Sequence, residues 1–426
     1  MTDHDVLFDP TDDATVQCPY PHYEAMRAQS PVYEIDGAAL GRPGERVFAV
    51  SRYEDVDAVV RDWRTFSSRF GSPAAAPSAD LARRLREVYA DGWPNPSTML
   101  TEDPPSHTRY RRLVSKAFTP TRIKRLEPEI RAICRELVAE WGHAPRVEFV
   151  QQFGVPLPVR AVAVVLEVPD TRQDDFKAWA DASVAAIGRS ISDNERVEAE
   201  KLIVQQQHYF ADELERRRLL PRDDFLTDLL NAELEPDEAE DVEGGPLSTA
   251  EMLSIIRQIQ VAGSETTTSL LADMMVILAD RPEEWERIRA EPDHAAALVE
   301  EGLRVASPNQ GLFRIATEDT EIAGTEIPEG SAVWVMYGSA NHDGAAFPDP
   351  ETFDPEREEL HNHVAFGKGI HYCLGAALAR LEAVTALQVL AESIDDVSVV
   401  EPASLRYAPS FILRGLEGLE LDITYR

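Results

Sequence analysis

The sequence predicts a mainly α fold with a minor strand content, and three observations carry that reading. From about Tyr53 to about Pro308 the chain is dominated by helical patterns. Strand-like pieces precede that stretch, Val32-Tyr33-Glu34-Ile35 and Arg46-Val47-Phe48-Ala49-Val50, and short strands and turns return between Arg314 and Val335. One segment, Ser248 to Ala279, reads as a single long helix with Ser248 or Thr249 as its N-cap. At 426 residues, 43% of them hydrophobic, the chain can bury a large core. Length alone would suggest two or three domains, but no Gly/Ser-rich linker and no internal repeat divides it.

In chain order, residues 1–18 form an irregular acidic start (Asp3, Asp5, Asp9, Asp12, Asp13), and Tyr20 to Gln29 reads as a helix. The helical stretch is interrupted at Gly71–Ser78, at Pro104-Pro105, at Thr119-Pro120 and at Glu233–Gly245. Seven carboxylates fall within the eleven residues from Glu233 to Glu243, the composition of a solvated surface loop. Inside the long helix, Ala262-Gly263-Ser264-Glu265-Thr266-Thr267-Thr268 is poor helix material. Glycine costs about 1 kcal/mol relative to alanine in a helix interior, and successive threonines add to that. Two readings stay open: a functional site that breaks local rules, or a bent core helix whose hydroxyls bond back to its own carbonyls. A helix follows Cys373, and a strand-like tail ends the chain.

A formal net charge of −34 argues against nucleic acid and anionic membrane surfaces as partners. No apolar run reaches transmembrane length, and the acidic N-terminus lacks the pattern of a signal peptide. Three cysteines, Cys18, Cys134 and Cys373, cannot build a disulfide framework. A cytoplasmic protein without a membrane anchor is expected.

Residues 366–375 read FGKGIHYCLG. Cys373 follows a glycine-spaced turn and precedes a run of strong helix formers, Ala376 to Glu382. Gly367 and Gly369 permit positive φ and close approach to a flat partner. Peptide N–H groups at the helix start would point back at the sulfur and favour its thiolate, a metal ligand. A lone cysteine is more often a small buried hydrophobe, but here Phe366, Gly367, Gly369, His371, Cys373 and Gly375 fill the pattern F-G-x-G-x-H-x-C-x-G. This segment resembles the haem-binding loop of the cytochrome P450 family. The resemblance implies that Cys373 is the axial metal ligand of haem b (heme b, iron protoporphyrin IX), with Phe366 packed against the sulfur. It further implies one triangular, mainly α domain with small β-sheets, spanning residues 19–426.

Other segments extend the resemblance. Ala262, Gly263, Glu265 and Thr266 are similar to the family's oxygen-activation motif. That implies a catalytic pair: Thr266 donating a hydrogen bond to bound dioxygen and Glu265 relaying protons, with Gly263 leaving room above the iron. Glu301-Gly302-Leu303-Arg304 is alone an ordinary i,i+3 charge pair. With Phe353-Asp354-Pro355-Glu356-Arg357 it resembles the family's E-x-x-R and P-E-R elements, implying a buried structural network of Glu301, Arg304 and Arg357. His107 and Arg111 share a helix face at i and i+4; with Arg314 and His371 they match the family's propionate-binding residues. Arg109 and Arg112 read as surface charges.

The resemblance implies a haem-thiolate monooxygenase that inserts one atom of O2 into a small or medium organic substrate. A peroxide-driven or non-hydroxylating variant, and a non-catalytic haem sensor or carrier, are the alternatives. Candidate pocket residues are Met99, Leu100, Val261, Ala262, Leu312, Phe313, Phe411 and Ile412, with Asn309 and Gln310 as polar groups and Gly71–Ser78 as a gating loop. A basic concentration (Arg109, Arg112, Lys116, Arg122, Lys124, Arg125, Lys368) would face a separate ferredoxin-type electron donor, because 426 residues leave no length for a fused redox domain. A monomer is expected.

Overall fold

Why the chain folds around one buried helix follows from that helix's own residues. The computed structural model describes residues 8–40, 42–70, 78–185, 191–233 and 245–426. Asp3, Asp5, the Gly71–Pro77 part of the gating loop and nearly all of the acidic stretch lie outside the described residues.

The N-terminal third holds α1 (Asp13–Gln17), α2 (Tyr20–Gln29), β1 (Val32–Asp36), β2 (Arg46–Val50), α3 (Tyr53–Arg61), β3 (Phe66–Ser67), α4 (Ala79–Tyr89), α5 (Ser106–Ala117), α6 (Pro120–Lys124) and α7 (Glu127–Glu140). Then come β4 (Arg146–Glu148), α8 (Pro156–Val165), α9 (Gln173–Val184), α10 (Asp193–Leu219), α11 (Phe225–Leu230), α12 (Thr249–Ala279), α13 (Pro282–Ala290) and α14 (His294–Ala306). The last part holds β5 (Leu312–Ala316), β6 (Thr320–Ile322), β7 (Thr325–Ile327), β8 (Ala332–Val335), α15 (Tyr337–Ala340), α16 (Ala376–Ser393), β9 (Ile394–Val399) and β10 (Glu420–Tyr425). The fold is mainly α with small sheets.

Helix α12 starts where Ser248 and Glu251 cap each other: the Glu251 amide donates to Ser248 Oγ at 3.3 Å and the Ser248 amide to the Glu251 carboxylate at 2.7 Å. It carries few charges and is apolar on most faces, the composition of a core helix. Leu270, Leu271, Met274, Met275 and Leu278 are fully buried, and each such side chain contributes about 1.5–3 kcal/mol by leaving water. It packs against α8, α9, α14, α16 and β9. Its Gly/Thr segment does not interrupt it. Thr266 Oγ1 donates to Ala262 O (3.0 Å), and Thr268 Oγ1 to Ser264 O (3.1 Å) and to Gly154 O on the segment before α8 (2.8 Å). The back-bonding of the hydroxyls is thus present, without a bend large enough to break the helix.

The larger sheet has the order β1-β2-β8-β5-β3, antiparallel except for β2 against β8. Strands β4, β10 and β9 form a second, antiparallel sheet, and β6 and β7 a hairpin. Strand β4 lies inside the stretch read as helical. Its partner, β10, is more than 270 residues away, so no local pattern could announce the pairing. The acidic start is also more ordered than expected. Asp12 caps α1 by accepting from the Thr15 amide at 3.0 Å. Arg414 donates to Val16 O (2.9 Å) and Gln17 O (3.1 Å), and Phe8 stacks on Trp334 with ring centroids 5.9 Å apart. Among the described residues no single helix is long and apolar enough to cross a membrane.

Candidate active site

The turn before α16 sets the position of Cys373. Gly367 and Gly369 have φ of +63° and +67°, conformations that favour glycine, and the Cys373 amide donates to Phe366 O at 2.9 Å, closing the turn. The close approach at Gly369 is to the protein itself. An added Cβ there would lie 2.7 Å from Val60 O of α3, so this glycine serves α3 packing, not a flat partner. Arg380 covers the Phe366 ring at 4.5 Å and reaches Glu300. Burial pushes the Cys373 thiol up, against the expectation that the helix start makes it a thiolate. The amides of Gly375 and Ala376 and the charges of Arg111 and Arg380 pull the other way without winning. A metal cation at the sulfur would reverse that balance, since a coordinating thiol is deprotonated.

Beside the cysteine four basic side chains gather. The His107 and His371 rings lie 4.2 Å apart, and both sense the charges of Arg111 and Arg314. Burial, with those neighbouring charges, holds His107 down to about 4 and His371 to about 3, so both are neutral near pH 7. One ring nitrogen of His371 meets Ser68 Oγ at 2.8 Å. Arg111 donates to Tyr372 O at 2.7 Å, and Arg314 to Phe313 O at 2.8 Å. Asp103, the carboxylate whose field reaches His107, is engaged by Ser67 Oγ (2.5 Å) and the Ser68 amide (2.8 Å). Neither arginine forms an ion pair with any described residue. A buried and a half-buried cation in such a state call for outside anions.

Helix α12 supplies a wall. Between Met252 and Met275 the residues that are not buried are Arg257, Gln258, Val261, Ala262, Gly263, Glu265, Thr266 and Thr268. Gln258, Val261, Ala262, Glu265 and Thr266 follow i, i+3, i+4, i+7, i+8 spacing, one stripe of the helix. An uncovered stripe in the middle of a core helix borders a cavity. Leu100, 47% exposed, stands against it, its amide 3.4 Å from Gln258 Oε1. An added Cβ at Gly263 would come within 2.8 Å of Val162 Cγ2, so this glycine lets α8 close on α12.

The remaining pocket candidates divide. Leu312 is half-buried, like Val261. Met99 is buried. Phe313 and Phe411 belong to an aromatic cluster with Trp334, at centroid distances of 6.2 and 5.5 Å. Ile412 packs at the edge of that cluster. Gln310 is not free for a substrate: it accepts from Tyr23 Oη (2.8 Å) and donates to Ser307 O (2.7 Å). Asn309 Oδ1 accepts from the Gly311 amide at 3.0 Å.

Glu301 and Arg304 are fully inaccessible and form two charge-assisted bonds of 2.8 and 2.7 Å; Arg357 Nε approaches Glu301 Oε1 at 3.5 Å. The basic concentration, by contrast, is largely consumed within the chain. Arg109 is buried, not a surface charge, and pairs with Glu251 at 2.7 Å. Arg122 pairs with Asp223 and Asp228, Lys368 with Asp57 at 3.2 Å, and Lys116 donates to Glu233 O at 2.8 Å. Lys124 and Arg125 remain exposed.

Sequence reasoning missed Ser68, Tyr337 (bonded to Arg314) and Arg380. Ser68, just after β3, and Tyr337, at the start of α15, come from distant parts of the chain and carry no local signal. Arg257, the lone basic residue of α12, was visible and overlooked.

A half-buried thiol, two arginines without an ion pair among the described residues and an uncovered helix stripe fit a planar group with two carboxylates and a central metal ion. The comparisons with known proteins agree. The cytochrome P450 family model matches residues 191–392. Cytochrome P450 107B1 of Saccharopolyspora erythraea is 36% identical over 411 residues, 96% of each chain. The solved structure of cytochrome P450 CYP109Q5 from Chondromyces apiculatus has a TM-score of 0.83 and 35% identity, covering 98% of both chains. P450BioI, solved in complex with an acyl carrier protein ligated to hexadec-9Z-enoic acid, has a TM-score of 0.81 and 29% identity over 97% of this chain and 99% of its own. The chain belongs to the cytochrome P450 family, and is thereby a haem-binding monooxygenase that takes an organic substrate and dioxygen.

Proposed function

We propose that the chain oxidises a predominantly apolar organic molecule, with haem b held through Cys373 and with electrons delivered singly by a ferredoxin-type donor and its reductase. The observation that carries this reading is the meeting of the half-buried Cys373 thiol with four basic side chains that form no ion pair with any described residue. When bound, the haem supplies the metal centre at which dioxygen is activated. Arg111 and Arg314 provide permanent charge for its two propionates, and the neutral His107 and His371 provide ring N–H donors. Ser68 fixes the orientation of His371.

On the open stripe of α12, Glu265 and Thr266 stand side by side as an acid and an alcohol. Thr266 Oγ1, which donates to Ala262 O, would serve as the hydroxyl donor on this stripe, and Glu265 as the acid that resupplies its proton. Val261, Ala262, Leu100 and Leu312 keep that space apolar. The long acyl chain named for P450BioI supports an apolar body for the substrate here. A ferredoxin-type donor is supported by Tyr372, 41% exposed and adjacent to Cys373, and by exposed Lys124 and Arg125 at the end of α6, which packs on α16.

The test is spectroscopic. The purified protein, reduced and exposed to carbon monoxide, should give the red-shifted Soret band of thiolate coordination, and Cys373→Ala should abolish it. The same band in the alanine variant would overturn the assignment.

A further inference from the structure

Arg257 stands apart from every other arginine of comparable burial. It is the lone basic residue of α12, one helical turn before Val261, on the flank of the open stripe, and it is half-buried. Among the described residues its guanidinium has no hydrogen bond, ion pair or ring contact, whereas every other described arginine that is not exposed has at least one. Its surroundings are defined by Tyr89 of α4. Burial and the Glu200 carboxylate push that phenol up, and the charge of Arg257 opposes them. Glu200 does not answer Arg257: it is held by Arg196 at 2.9 Å and accepts from Tyr89 Oη.

A guanidinium cannot shed its proton, so a half-buried one without a partner in the protein stays charged and open to an incoming anion. Its planar fork matches a carboxylate or a phosphate through two parallel bonds. We infer that Arg257 is the anion-recognition residue of the substrate cavity, and that the preferred substrates carry a carboxylate or phosphate ester at one end of an apolar body. This rests on the reading above, that the space along the stripe is where substrate lies.

The helix also sets a distance. At a rise of 1.5 Å per residue, Ala262 lies about 7.5 Å and Thr266 about 13.5 Å along the axis from Arg257. The oxidised carbon should therefore be remote from the anion, roughly six to ten carbons away in an extended chain.

The experiment is optical and calorimetric titration of the haem-loaded enzyme, and of its Arg257→Gln and Arg257→Lys variants, with decanoic acid, decyl phosphate and decan-1-ol at low salt. Wild type should bind at least one of the two anions at least tenfold more tightly than the alcohol; which one identifies the headgroup. Arg257→Gln should remove that advantage while leaving decan-1-ol within about twofold, and Arg257→Lys should restore part of it. Equal affinity of wild type for anions and alcohol, or an Arg257→Gln variant that binds both anions as wild type does, would overturn the inference. The carbon monoxide spectrum separates the two proposals. If wild type lacks the thiolate band, the parent reading fails; if the band is present and no anion preference appears, only the role of Arg257 fails.

Discussion

Arg304 and Arg314 lie ten residues apart and are equally hidden from solvent, 0% and 3% exposed, yet their surroundings are opposite. Every nitrogen of the Arg304 guanidinium is engaged: two bonds go to the Glu301 carboxylate and three to the carbonyls of Asn341, Pro350 and Thr352, at 2.7–3.2 Å. Arg314 reaches its neighbour's carbonyl and the Tyr337 hydroxyl, and no carboxylate among the described residues. A closed set of this kind holds the chain together and accepts nothing further. An open set is incomplete in the protein alone, and completeness must come from a ligand. Burial and charge are the same in both; partner count distinguishes structure from function.

The sharpest way to break the comparison is to remove Arg304. Arg304→Ala leaves buried Glu301 with only Arg357, 3.5 Å away, as counter-charge, and takes the Arg304 donor from the carbonyls of Asn341 and Pro350. The expected cost is about 3–5 kcal/mol, enough to send most of the protein into the insoluble fraction. Soluble yield and chemical denaturation read it directly. Normal yield with unchanged stability would mean that the closed network is not structural.

Arg314→Gln should behave differently. No ion pair is broken, only the bonds to Phe313 O and the Tyr337 hydroxyl, so the haem-free chain should lose about 1 kcal/mol, far less than Arg304→Ala. What falls is haem retention. Losing one charge-assisted bond to a carboxylate costs about 1.5–3 kcal/mol, so transfer of haem to an excess of apomyoglobin should accelerate about tenfold or more. Equal loss of both properties would place Arg314 with Arg304.

The same distinction explains what the sequence could and could not reveal. The cysteine loop was legible because glycine spacing, a histidine and a cysteine are crowded into ten residues, and backbone geometry there is local: Gly367 and Gly369 do take positive φ. The long helix was legible from its cap and its apolar run. Whether a given charge is answered was not legible, since partners come from anywhere in the fold. Arg109 looked like a surface charge and is buried on Glu251, 142 residues away. The basic concentration looked like a docking face, yet Arg122 and Lys368 are each neutralised by a carboxylate in the fold. Gly263 looked like space for a ligand, and an added Cβ there would meet Val162. In each case the partner that the residue meets within the fold comes from a distant segment that no local pattern announces.

Helix α5 offers the smallest and most controlled version of the contrast, because Arg109 and Arg111 are two residues apart, one closed and one open. Burial alone would raise the Glu251 carboxyl, but Arg109, the Ser248 amide and Tyr110 outweigh it and hold it at about 2. The folded state therefore binds fewer protons than the unfolded one between about pH 4.5 and 2, and stability falls with pH across that window. Glu251→Gln should be less stable than wild type by roughly 2 kcal/mol at pH 7, and the gap should close as pH drops from 5 towards 3. Urea unfolding of both proteins at matched pH measures the difference, and other titrating carboxylates cancel in it. A gap that stays constant down to pH 3 would assign the stabilisation to the shape of the cap and not to its charge. The Arg109–Glu251 pair would then no longer count as a closed ion pair beside the open Arg111.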